Sequence, residues 1–463
     1  MKSNLFRIFT ALFILVLIIP LVGVSSVQAA PRYTPVNVVL NTDITPAIVT
    51  TLGKYGTVLD QVVEIDAITM KALTNKLEAI KALPFVEAVS PDAVRNGSPV
   101  DTVAVTDFTN GLSTWDMDSI NITDYGWDNR QVTQDGTGVY VAVLDTGLLD
   151  SWRQYFPDER IAEEYAIAFG GGGGEKGNVS SQPNKWEHDQ NSHGTHVTST
   201  ILGFSLNGNP INGVAPMATV IPVKVLNQNG SGWSSVVARG ITYVGDLKAG
   251  PLKDYPVVIN MSLGGPSLDA MEKAAIDYAI EQGVIIVASA GNEGTAGMGY
   301  PGAYEPVISV AASGWVGEWT ASSWWYALNV PDPTNIDQFY ITDFSSRALP
   351  GQDLDVAAPG SWIVGPYQVN SGQLSYYYLG GTSMASPHVA GIAALLVQTR
   401  PELIQGDVEA ILEGSAIYLP AGCRDIMDPN VGPTTICWDD DATGAGLTTA
   451  DAAIAYMLSY EQP

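Results

Sequence analysis

Over 463 residues the chain carries 48 acidic against 21 basic side chains, a formal net charge of −27, and it is 46% hydrophobic but only 15% charged. Such a composition can bury a large core and is not that of a disordered chain. The charge argues against a nucleic-acid partner, which needs an excess of Lys and Arg, and it favours basic or neutral polypeptide over acidic partners.

The first residues read as an export signal. Lys2 and Arg7 give a basic start, and Ile8 to Val24 is almost wholly apolar. Val27-Gln28-Ala29 then offers acceptable side chains for signal-peptidase cleavage, so residues 1–29 are assigned as a signal peptide and the product as secreted. The alternative is a membrane anchor, but the apolar stretch is shorter than the roughly 20 residues that span a bilayer. After signal removal no other segment is long and apolar enough to cross one.

Residues 30–110 read as a small unit and a linker. Val36 to Leu40 predicts a strand. Thr45 to Leu52 predicts a short helix, with Thr45 as N-cap and Pro46 at the first helical position. Met70 to Leu83 has helical spacing, with Thr69 as its cap. Val58 to Ile65 and Val86 to Val89 predict further strands, giving β-α-β-α-β and a small split-βαβ sandwich. Asn96 to Asn110, with its Gly, Pro and Asp, reads as linker.

From residue 111 to 463 apolar runs alternate with helical ones. Val139 to Leu144, Val220 to Val225, Val257 to Met261, Val284 to Ala288 and Val307 to Ala311 suit strands buried on both faces of a parallel sheet. Val236 to Leu247, Leu268 to Gln282 and Ala385 to Thr399 read as helices. The predicted fold class is α/β, a doubly wound, mainly parallel sheet with helices on both faces, preceded by the small α+β unit. Gly170 to Gly174 opens a polar insert. Trp315, Trp319, Trp324 and Trp325 crowd one stretch, read as a satellite core or, alternatively, a cleft wall. The two cysteines, Cys423 and Cys437, flank an acidic loop with Pro and Gly that can bend to close a disulfide, two free thiols being the alternative.

Four motifs carry chemistry. Asp145 ends a buried strand in Leu144-Asp145-Thr146-Gly147, where catalytic groups of open α/β sheets collect. His193 lies in Ser192-His193-Gly194-Thr195-His196, one of four histidines with His188, His196 and His388. Asn292 follows another buried strand, in Ala290-Gly291-Asn292-Glu293, where its amide could donate to an oxyanion. Ser383 sits in Gly381-Thr382-Ser383-Met384-Ala385-Ser386-Pro387 at a helix N-terminus, whose dipole favours developing negative charge. A serine needs a base to act as nucleophile, and a carboxylate can hold an imidazole in the required tautomer. Taken singly each has an ordinary role: a helix-capping serine, a packed histidine, an Asp or Asn in a turn.

Together, in this order, the segments resemble the subtilisin-like serine proteases, over roughly Trp115 to Ala453, and Tyr33 to Arg95 resembles that family's inhibitory prosegment. The resemblance implies a self-processing serine endopeptidase acting on polypeptide substrates through an acyl-enzyme, with Asp145, His193 and Ser383 as triad and Asn292 as oxyanion donor. It further implies that Ser262, Leu263 and Gly264 pair with substrate backbone. Ser289, Ala290 and Gly291 would wall the pocket for the residue before the cleaved bond, with Gly299 at its floor. No cofactor is implied for the chemistry. The family's structural calcium is an expectation without a specific site, Asn207, Asn209 and Asp439 to Asp441 being the oxygen-rich candidates. The prosegment's end is expected in the cleft, with cleavage between Arg95 and Leu112. Departures are Ser192 where a glycine usually precedes the histidine and Thr198-Ser199 where Ala-Gly is usual. A narrow processing enzyme, its cleft restricted by the Trp-rich stretch, is one rival reading. An inactive binding protein on this scaffold is another, though no triad residue is lost.

Overall fold

The computed structural model describes residues 32–104, 113–124, 130–170, 179–182, 184–331, 335–368 and 375–462. The signal-peptide assignment, and most of the glycine-rich insert, lie outside the described residues.

The N-terminal unit is a four-stranded antiparallel sheet in the order Gly56–Val62, Ala67–Leu73, Tyr33–Leu40, Val86–Pro91. Helix Pro46–Leu52 begins as its residues predict: Pro46 occupies the first turn and the Thr45 hydroxyl accepts the Ile48 N–H at 3.3 Å. The Met70 to Leu83 helix is not formed. Ala67–Leu73 is a strand paired on both sides, and the helix is confined to Leu77–Lys81. Alternation decides this, for Ile68, Met70 and Ala72 point into the unit's core with Val36, Val38, Leu52 and Ile80. Thr69 faces the other way and donates to Asn37 Oδ1 at 2.8 Å instead of capping a helix. The order is therefore β-α-β-β-α-β, and the expected Val58 to Ile65 strand ends at Val62, with Val63–Ile65 a 3-10 turn.

The sheet's second face rests on the large domain, where Val39, Val62 and Ala67 join a core that contains Val237, Ile241, Met271 and Ala275. Polar contacts fix the docking. Asn37 Nδ2 donates to Asp269 Oδ2 at 3.0 Å, Ser235 N donates to Asp92 Oδ1 at 3.1 Å, and Arg239 Nη2 bonds Asp60 Oδ2 at 2.9 Å.

In the large domain the central strands run parallel in the order Ile308–Trp315, Val284–Ser289, Val257–Met261, Tyr140–Asp145, Thr219–Lys224. Antiparallel Phe339–Ile341 and parallel Val356–Pro359 both pair with Ile308–Trp315. Helices Ser234–Ala249 and Ala270–Glu281 pack against the strands together with the N-terminal unit, while Thr382–Thr399 lies among the residues of the other, larger core. The latter helix is buried almost throughout, which explains its continuous apolar run.

The Trp-rich stretch is no satellite. Trp315, Trp324 and Trp325 are buried in the main core, and Trp319 packs on Tyr378 (4.8 Å between ring centroids) and Trp362 (5.4 Å). Glu318, in the same stretch, is 1% exposed. It accepts from Trp315 N at 2.8 Å, Tyr340 Oη at 3.0 Å and Ser361 Oγ at 2.7 Å, and burial pushes its carboxyl up to about 8. Near the C-terminus, strands Gly422–Asp428 and Gly432–Trp438 form a hairpin in which Cys423 and Cys437 stand opposite and are bonded.

Candidate active site

Asp145 closes its strand between Thr219–Lys224 and Val257–Met261 and is fully buried. Its Oδ1 and Oδ2 lie 2.8 and 2.9 Å from His193 Nδ1, and Thr146 N donates to Oδ1 at 2.6 Å. A carboxylate only accepts, so Nδ1 carries a proton, and in the neutral ring Nε2 is then the atom with the lone pair. That Nε2 is buried and has no hydrogen-bond partner.

His193 opens helix His193–Leu202. The approach is tight: Ser192 has φ 74°, the left-handed region that glycine fills without strain, which is why glycine is usual there. Buried Asp189 compensates, accepting from Ser192 N at 2.7 Å, Asn191 N at 3.1 Å and Thr195 Oγ1 at 3.0 Å. The Ser192 hydroxyl also exchanges bonds with the backbone of Gln368. Desolvation raises the Asp189 carboxyl, against the opposing pull of buried Lys224, whose Nζ bonds the Thr146 carbonyl. Sequence reasoning missed Asp189 and Lys224. Their signal, a charged residue inside an otherwise apolar or turn-like stretch, is too common to single out. His196, one turn after His193, bonds the Ile363 carbonyl at 3.0 Å and is held neutral, its ring pushed down to about 3 first by burial. His388 bridges Met384 O and Asp116.

Ser383 is the second residue of the long helix Thr382–Thr399. Its hydroxyl donates to the Ser262 carbonyl at 3.2 Å, not to His193, while Ser262 Oγ donates to the Ser383 carbonyl at 2.7 Å. Asn292 Oδ1 accepts both the N–H and the hydroxyl of Thr382, each at 2.9 Å. The amide is thereby oriented with Nδ2 as its free donor side. Ser289 Oγ reaches the Leu263 carbonyl at 3.4 Å, Gly299 N bonds Ala290 O at 2.8 Å, and Gly291 N bonds Thr382 Oγ1 at 3.2 Å. Gly264 and Gly299 face each other: a methyl on Gly264 would sit 3.9 Å from the Gly299 α-carbon. The Ser262–Gly264 segment is thus brought together with Ser289 to Gly291 and Gly299.

The chain's own N-terminal segment crosses these residues. Val94–Asn96 pairs antiparallel with Ser231–Trp233, and on its other side Asn96 and Gly264 exchange two N–H···O bonds of 2.9 Å. Gly97 N bonds Gly230 O at 2.8 Å, Val100 N bonds Gly380 O at 2.6 Å, and Asp101–Ala104 pairs with Tyr377–Gly380. The expected linker from Asn96 is therefore largely strand as far as Ala104, because both edges of the cleft offer unpaired backbone. Residues 105–110 lie outside the described residues.

Asp439 to Asp441 are not among the carboxylates that converge among the described residues. Asp440 Oδ1 accepts from Tyr418 Oη and Ala421 N, and the carboxylates that do converge among the described residues are Asp353, Asp355 and Glu409. Burial and mutual repulsion push Asp355 up to about 7 and Glu409 up to about 8.

Residues 136–449 match the model of the subtilase family, Peptidase S8. The chain belongs to the subtilase family. As a subtilase it is a serine endopeptidase. It is 32% identical over 362 residues to the thermostable alkaline protease of Halalkalibacterium halodurans, covering 78% of this chain and 81% of that one. It is 34% identical over 288 residues to subtilisin DY of Bacillus licheniformis, covering 61% and 85%. Among solved structures it is similar to fervidolysin from Fervidobacterium pennivorans, described as a keratinolytic enzyme related to subtilisin. There the TM-score is 0.63 and the identity 25%, covering 92% of this chain and 62% of that one.

Proposed function

We propose that this subtilase is made as a secreted precursor that cuts itself and then hydrolyses polypeptides through an acyl-enzyme. Ser383 turns its hydroxyl from the Ser262 carbonyl to the partnerless Nε2 of His193, which takes the proton as Oγ attacks the substrate carbonyl. Asp145 holds the imidazolium that forms. Asn292 Nδ2 and the Ser383 N–H, at the positive end of an 18-residue helix, stabilise the oxyanion. Nε2 then returns the proton to the leaving amine, and water repeats the cycle on the ester.

One observation carries the precursor reading: residues 94–96 lie across the site with backbone bonds on both sides, as a substrate strand would, and residues 101–104 pair with the strand that leads into Ser383. Residues 33–91 then act as the inhibitory prosegment and residues 97–100 present the bond to be cut. No helix among the described residues is long and apolar enough to cross a membrane. Expression of the wild type and of Ser383→Ala tests this. The wild type should yield a mature N-terminus within 98–100 and cleave denatured protein. Ser383→Ala should persist as the uncut precursor. A wild-type N-terminus near Ala30 in an active enzyme would refute self-processing.

A further inference from the structure

Arg95 and Glu272 are both fully buried and face each other across the boundary between the N-terminal segment and the large domain. Arg95 Nε lies 2.9 and 3.2 Å from the two Glu272 oxygens, and Nη2 bonds Oε2 as well. Nη2 also donates to the Ser267 carbonyl at 3.0 Å, and Nη1 to the Val94 carbonyl at 3.0 Å. The planar fork is thus engaged on both edges, an arrangement that an ammonium cannot reproduce. Gly265 makes the room, since a methyl there would come within 2.7 Å of Nη1. The remaining charge close by is negative: Asp269 and Asp92 both oppose ionisation of Glu272, and Arg95 supports it.

Glu272 and Ser267 belong to the large domain and stay when the segment leaves. Glu272 is the third residue of helix Ala270–Glu281, where Asp269 already caps the first turn through Met271 N and Glu272 N. It is therefore not needed as a cap, and its carboxylate is left for a ligand. A buried carboxylate without a cation is costly, so the pocket selects for a cation. Register gives the position. Arg95 stands opposite Gly232, Asn96 opposite Gly264, and a methyl on Gly97 would lie 3.4 Å from His193 Cε1. With Gly97 beside the imidazole, we read the bond after Ser98 as the one to be cut, which makes Arg95 the fourth residue on the acyl side.

We propose that Glu272 forms a guanidinium subsite and makes this subtilase prefer substrates with arginine four residues before the cut. The proposal rests on the reading of residues 94–100 as a bound substrate strand. The acidic surface, net −27, suits such basic polypeptides.

The test uses processed wild-type enzyme and four peptides that differ only at the fourth position: arginine, its neutral isostere citrulline, lysine and leucine. The arginine peptide should be cut with kcat/KM at least about tenfold above citrulline and leucine, as a buried charge pair across an interface gives. In Glu272→Leu the order of arginine and leucine should invert. Equal rates for arginine and citrulline, or an arginine preference that survives Glu272→Leu, would overturn the proposal, and the pair would then merely pin the N-terminal unit. Should Glu272→Leu fail to fold, the wild-type comparison of arginine with citrulline decides alone. Cleavage of denatured protein separates the two levels: an enzyme that cuts it without arginine preference keeps the peptidase reading, and one that cuts nothing loses both.

Discussion

Gly97 leaves no space between its α-carbon and the floor of the cleft: a methyl there would stand 2.7 Å from the Ser262 carbonyl oxygen and 3.4 Å from His193 Cε1. Only a residue without a side chain lets the segment lie this close to the imidazole. Gly97→Val should lift the strand off Gly230 and Ser262. Overpacking of this kind costs roughly 1–3 kcal/mol, so self-cleavage should slow by about ten- to a hundredfold. The checking measurement is the rate at which the full-length band disappears after expression, and an unchanged rate would show that the segment is not held here during the cut.

Asn292→Ala should lower kcat by about 10²–10³, the usual loss on deleting one oxyanion donor, with KM nearly constant. Steady-state kinetics on one peptide distinguish this from a binding role, in which KM would rise and kcat would hold.

Glu318→Gln should flatten the dependence of stability on pH. The native carboxyl, pushed up to about 8, keeps its proton where the unfolded chain, with its ordinary value of 4.5, has lost it. The stabilisation is complete below about pH 4.5 and is lost as pH rises towards 8, at about 1.4 kcal/mol per pH unit for one retained proton. Asp355 and Glu409 add slopes of the same sign, so the variant should reduce the trend without abolishing it. Melting temperatures of Ser383→Ala with and without Glu318→Gln, taken from pH 5 to 8, measure it free of self-digestion. Parallel curves would mean that Glu318 is ionised in the folded protein.

Cys423 and Cys437 should resist alkylation until reductant is added. The bond closes a separation of 14 residues and on loop entropy alone contributes about 3 kcal/mol. Both residues are exposed and the hairpin has its own ladder. Reduction should therefore make Gly422–Trp438 sensitive to added protease while peptide hydrolysis continues, and alkylation of the unreduced protein would refute the bond.

The parallel strands were legible because burial on both faces leaves continuous apolar runs such as Val257 to Met261. Asp145 at a strand end and Ser383 at a helix start follow from the same pattern. The Ala67–Leu73 strand was not, since Met70, Leu73, Leu77 and Ile80 also fit a helical stripe, and only pairing with strands on both sides decides between the periods. Glu272 reads locally as an acidic residue favouring a helix N-terminus. Its partner lies 177 positions away, and no local rule links them. Asp189 is similarly invisible until the left-handed turn at Ser192 shows what it compensates.

The strand across the cleft is bound twice over, by Val94–Asn96 on one side and Asp101–Ala104 on the other. While the chain is intact, occupancy of the site is intramolecular and independent of concentration. The proposed cut severs that link between the two halves. The acyl-side half then remains only as a separate molecule held by its own contacts, and its hold weakens as the mixture is diluted. Activity would thus be set by volume: a precursor cut in a confined space stays quiet, and the same molecules released into open medium become protease.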